Sequence, residues 1–368
     1  MLLYPNGRTS LPVDLIRTTA IILVILLHAS IEATPNIDIM SPQGVQLWVA
    51  SNVYASLAWS AVPLFVMLTG FLLLQPSKVN EPLKLFFKKR FYRIGLPLIF
   101  WGAAYFAWRY FVNAETLTSN SILQGVFAGP YYQFWYLYLL IGLYLLTPLL
   151  RVIVAYANWN IIKYFLLVWF VGTAIVPLFG LYEGITPQIT WFRVSVFTLT
   201  GLVGYFILGA YVTKVKIRSS LLYLILALSL IWTILGTYFL VGTLGERYSQ
   251  FFHDASSASV ILTSVAFFLI LSTFRRPKIQ LQDASDASIQ VTHTNRILQL
   301  VSQNTLPIYL FHVMVLETLQ KGYLGFKISV TTINPVIEIP LITVVTLLIC
   351  LAVIVPLKKI PCVNKFLG

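Results

Sequence analysis

The segment DLIRTTAIILVILLHASIE, from Asp14 to Glu32, sets an arginine and a histidine into an apolar run long enough to cross a bilayer. Arg17 and His28 are eleven positions apart. At 100° per residue that is about 1100°, roughly 20° from three full turns, so the two side chains share one helix face about 16 Å apart. Asp14 precedes Arg17 by three positions and Glu32 follows His28 by four, so each acid can reach its neighbour. Ionisable groups within a span are costly and usually face the protein interior or a wet cavity. The chemistry such a row offers is proton transfer. His28 can accept a proton from a hydroxyl near neutral pH. Glu32 could hold the imidazole in one tautomer, as the acid of a triad does. Arg17 suits a phosphate-bearing donor. The plainer alternative is that Arg17 snorkels to headgroups and His28 bonds a neighbouring helix. The functional reading requires both side chains to look onto one water-accessible passage.

Two further clusters could serve that passage. In FFKKRFYRIGLP, Lys88, Lys89, Arg90 and Arg93 precede an apolar run. Arg90 and Arg93 lie three apart, hence on one face, where they would suit a nucleotide or diphosphate. The same charges are also what membrane orientation requires. In NTLPIYLFHVMVLE, Tyr309 and His312 are three apart and can present together, with Glu317 beyond; a lone intramembrane histidine can equally be a hydrogen-bonded packing residue. His253 and Asp254, in FFHD, read as solvated loop surface, and so does His293. No glycine-rich phosphate loop, metal-ligand spacing or nucleophile elbow is present.

The elements that must position these residues follow from composition. Of 368 residues, 58% are hydrophobic and 10% charged, and mean hydropathy is +0.83, far from the roughly 25% charged residues of soluble domains. The expectation is an all-α polytopic membrane bundle forming one domain over 1–368, with about ten spans. These fall near 12–31, 54–74, 92–112, 132–150, 161–179, 192–212, 221–241, 258–273, 304–320 and 337–357. Lysine and arginine alternate between rich and poor loops, which places both termini, and the Arg17 end of the first span, in the cytoplasm. The net charge of +13 is therefore read as orientation and affinity for anionic lipid, not for nucleic acid. The first run lacks a small-residue cleavage site and is kept as a span. Residues 277–300 read as a cytoplasmic linker with a short surface helix at its end, and Arg151 as a loop charge after the fourth span. The aromatic cluster around Tyr131, Tyr132, Trp135 and Tyr136 reads as an interfacial belt.

With these residues in view, the chain resembles the membrane acyltransferase-3 family. The arginine, ten residues, then histidine after a leading DLIR carries the resemblance. So do, in order, AVPLFVMLTGFLLL, FFKKRFYRIGLPLIFW, FWYLYLLIGLYLLTPLLR, GYFILGAYV and NTLPIYLFHVMV. Thr69-Gly70 stands where serine-glycine is expected. The blocks near Trp59 and Trp135 look most like the branch that O-acetylates surface polysaccharides. The resemblance implies transfer of an acyl group, commonly acetyl from cytoplasmic acetyl-CoA, to a glycan or lipid-linked hydroxyl at the cell membrane, without a metal. His28 would be the base or acyl relay, with Arg17 and Glu32 in the catalytic set. Arg17, Lys89, Arg90 and Arg93 would hold the donor, and Tyr309, His312 and Trp135 the acceptor. The rival from another class is a proton-coupled transporter or flippase of a small anion or glycolipid, whose mark would be inverted repeats or helices broken at mid-membrane.

Overall fold

The computed structural model describes residues 11–31, 41–178, 201–212, 214–245, 248–274, 296–328 and 334–368. The described residues are helical, without strand. In chain order the helices are α1 (Leu11–Ile31), α2 (Pro42–Ala58), α3 (Ala61–Leu73), α4 (Leu83–Arg90), α5 (Leu96–Phe111), α6 (Ser119–Ala128), α7 (Trp135–Tyr156) and α8 (Trp159–Phe170). Then follow α9 (Gly201–Val212), α10 (Ser219–Leu244), α11 (Ala258–Thr273), α12 (296–303), α13 (Thr305–Lys321), α14 (Pro335–Leu357) and α15 (Pro361–Leu367).

A described helix falls in each of the ten expected windows, and six stretches are long and apolar enough to cross a membrane. The chain is a membrane protein with several apolar helices. The second window differs most from expectation. Its helix starts at Pro42, capped by Ser41, whose side chain accepts from the Gly44 amide at 3.0 Å. It then breaks at Trp59–Ser60, three residues before Pro63; proline in a helix's first turn forfeits no hydrogen bond, so α3 restarts there easily.

α1 is the axis of the bundle. It packs on α2, α3, α11, α13 and α14, and 61% of its apolar window is buried, against 17% for α10. That is why α1 is apolar on all sides, whereas α10 turns Ser229, Thr233 and Thr237 inward and leaves its leucines and aromatics outside. Polar contacts bind this inverted helix to the bundle: Ser229 Oγ lies 2.8 Å from Thr263 Oγ1, and Asn52 Nδ2 donates to the Ile234 carbonyl at 3.1 Å. Such contacts, with small residues at crossings, replace the hydrophobic drive that lipid cannot supply. α3 and α9 cross at Gly70 and Gly209, where an added Cβ would lie 1.8 Å and 1.9 Å from a backbone oxygen of the other helix.

α4 runs into α5 through a π turn at Phe91–Gly95. Pro97 explains it: proline has no N–H for the carbonyl four residues back and its ring crowds that carbonyl. The turn carries Arg93.

Residues 277–295, most of the expected linker, lie outside the described residues, as does Glu32. The end of that segment is the start of a short helix at the surface, exposed at Arg296, Ile297 and Leu300. α12 docks on α1, where Ser302 Oγ donates to Asp14 Oδ1 at 2.7 Å and Thr18 Oγ1 to the Leu298 carbonyl at 3.3 Å.

Candidate active site

At the Arg17 end of α1 the helices enclose a cavity of about 530 Å³. Arg17 comes from α1, Lys78 from the 3-10 turn after α3, Arg90 from the end of α4 and Arg93 from the π turn. All four cations line the cavity, and among the described residues no aspartate or glutamate does. Arg90 leans over the rings of Phe86 and Tyr144, 5.2 and 5.5 Å from their centroids, and its Nε is buried without a hydrogen-bond partner. Burial, then the charges of Arg151 and Arg90, hold the Lys78 ammonium below its ordinary range. Like charges gathered in a half-buried space repel one another and call for an anion.

The charges are held together by an ion-pair clamp just outside the cavity. Glu81 bridges Lys89 at 2.9 Å and Arg151 at 3.0 Å. Arg151, 3% exposed, also donates to the Leu73 carbonyl at 2.8 Å and lies over Phe86, 4.7 Å from its centroid. Burial pushes the Glu81 carboxyl up, but hydrogen bonds from Lys89 and Arg151 outweigh it and leave the group below its ordinary value. The expected loop charge Arg151 is thus a buried strut in α7 that fixes the turn bearing Lys78 and the helix bearing Arg90.

At the other end of α1 stands His28. Its ring centroid is 5.2 Å from that of His312 and 5.0 Å from that of Tyr132. His312 is fully buried; its Nδ1 lies 2.6 Å from the Tyr309 carbonyl, and its Nε2 is buried without a partner. Tyr309 connects the two ends. It lines the cavity, its ring is 5.8 Å from His312 and 5.2 Å from Tyr136, and its hydroxyl donates to the Gln133 carbonyl at 2.6 Å. Arg17 and His28 therefore do not share one open passage here. The cavity ends against Tyr136 and Tyr309, and His28 is not part of its lining.

Of the residues expected at the site, Arg17, Arg90, Arg93 and Tyr309 meet at the cavity, and His28 meets His312. Two of the expected residues lie elsewhere. Lys89 is absent from the cavity lining: its ammonium is engaged by Glu81 and its side chain is 53% exposed. Trp135, 46% exposed, stacks edge-on against Tyr136, and the ring that meets His28 is Tyr132. His253 is not surface either; it is 6% exposed, bonded to Ser56 Oγ at 3.1 Å and stacked on Trp59. Sequence reasoning gave no site role to Lys78 or Tyr136, whose signal was position near a predicted span end, nor to Tyr144 inside the fourth span. Glu317 closes the far end of α13, accepting from Trp108 Nε1 at 2.7 Å, from Lys321 at 2.8 Å and from the Tyr131 hydroxyl.

Residues 12–355 match a family model described as an acyltransferase domain, that of acyltransferase-3. No curated protein and no solved structure matches the chain.

Proposed function

The chain belongs to the acyltransferase-3 family, and on that premise we propose that it is a multi-pass O-acyltransferase of the cell membrane. The proposed reaction moves an acyl group, acetyl in the first instance, from cytoplasmic acyl-CoA to a hydroxyl of a surface glycan or lipid-linked sugar. The observation that carries this reading is the cavity with four cations and, among the described residues, no aspartate or glutamate, which ends against Tyr136 and Tyr309 short of a histidine pair. A thioester of a phosphate-bearing nucleotide presents several negative charges, and Arg17, Lys78, Arg90 and Arg93 are the groups to hold them. The orphaned Arg90 Nε is a donor still awaiting such a partner. His28 then takes the proton of the acceptor hydroxyl as it attacks the thioester carbonyl. Tyr136 and Tyr309 lie between donor cavity and base, so reaction requires their rings to move apart.

The break at Trp59–Ser60 is the feature a transporter or flippase would share. Purified protein in lipid nanodiscs, given acetyl-CoA and a candidate glycan, separates the two readings. An enzyme releases free thiol in step with acetyl ester. A carrier moves solute and leaves the thioester whole.

A further inference from the structure

We propose that His312 is the residue that orients His28, acting through its unprotonated Nε2. This deepens the acyl-transfer reading and rests on it. The Nδ1 of His312 faces the Tyr309 carbonyl at 2.6 Å. A carbonyl oxygen only accepts, so the ring proton sits on Nδ1 and Nε2 keeps a bare lone pair. That lone pair is fully buried, with no partner. An orphaned buried polar atom is costly, so this lone pair favours a donor within reach. The ring beside it is His28, 5.2 Å away between centroids with planes inclined 38°. From there a small ring rotation, or one bridging water, brings a His28 N–H to the His312 Nε2.

Once that hydrogen bond forms, His28 is fixed as one tautomer. Its second nitrogen is bare and free to act as base. The step balances without a further reactant. The acceptor O–H proton passes to His28 as the C–O bond forms. The imidazolium is stabilised by His312, the C–S bond breaks, and His28 returns the proton to the departing sulfur. His312 is thus a positioning residue, taking the part that the sequence suggested for Glu32.

Nuclear magnetic resonance on the full chain, labelled with nitrogen-15 at histidine, tests this directly, since the protein has four histidines and single substitutions assign them. The expected spectrum shows His312 protonated on Nδ1 alone and His28 as one tautomer. In His312→Leu the His28 signals should shift and split between tautomers. A proton on Nε2 of His312, or His28 signals unmoved by the substitution, overturns the assignment. The parallel readout is thiol release from acetyl-CoA. His312→Leu should lower kcat on the order of 10²-fold with KM for acetyl-CoA unchanged, and His312→Gln, whose amide oxygen can accept the N–H, should recover about tenfold. Should the leucine variant not fold, His312→Phe, which keeps a ring but offers no acceptor, carries both readouts, and a kcat equal to wild type with unchanged His28 signals rejects the proposal. Wild-type protein that leaves the thioester whole while the two rings remain coupled rejects acyl transfer instead, and leaves the pairing standing.

Discussion

At the scale of the residue, the site divides into groups that bind charge and groups that move a proton. The first set was partly legible in the sequence. Arg17, Arg90 and Arg93 could be placed on common faces by counting turns, and the cavity unites them. Lys89 and Lys78 could not be told apart that way, because both are lysines in one basic loop. Which one faces the cavity depends on Glu81, a partner that helical spacing does not reveal, and Glu81 engages Lys89. It follows that Lys78→Ala should raise KM for acetyl-CoA about tenfold with little change in kcat, the loss of one charge-assisted contact. Lys89→Ala should leave KM near wild type, and initial-rate kinetics on both variants make the comparison. Equal effects would place Lys89 in the donor site after all. The proton-moving set was harder to read. The partner of His28 comes from α13, some 280 residues along the chain, and contacts of that range leave no mark in local spacing.

At the scale of the element, the frame around the cavity is set by backbone rules and by one ion cluster. Pro97 could be seen to disturb the helix that bears Arg93, and the π turn is its result. The clamp of Glu81 with Lys89 and Arg151 was not foreseen. It draws on three segments, and positive charge near span ends has a simpler explanation in membrane topology. Because the Glu81 carboxyl is held below its ordinary value, the clamp contributes in full above the ordinary carboxylate range and is lost as pH falls through the depressed value. Glu81→Gln should therefore cost about 2 kcal/mol near pH 7, the worth of hydrogen bonds to a charged group. The gap between variant and wild type should close as pH falls through that depressed value. Thermal unfolding in detergent across that range reads the effect, and a gap independent of pH would mean that the carboxylate's charge plays no part.

At the scale of the whole molecule, composition alone gave the class. A chain 58% hydrophobic has to place its helices in lipid, and the described residues are helical throughout their regular structure. The ten windows of the sequence each hold a helix, yet their lengths were less readable. α11 and α13 fall short of the length that six other stretches reach, because burial inside a bundle relaxes the demand on length, and of the window 192–212 only residues 201–212 are described. The predicted orientation can be checked with the two native cysteines, Cys350 buried and Cys362 exposed. A membrane-impermeant maleimide should leave intact cells unlabelled and mark Cys362 alone in opened ones. Labelling of Cys362 in intact cells would put that end of the chain outside and invert the assignment of donor and acceptor sides.

The most direct test of the central claim, that His28 and the cation-lined cavity together carry an acyl group across to a surface hydroxyl, is mass spectrometry of cell-surface glycans. Cells producing wild-type protein would be compared with cells producing an equally abundant, normally inserted His28→Ala variant. The account predicts acyl esters on the glycans of the first and none above background on the second. Equal acylation in both would contradict it.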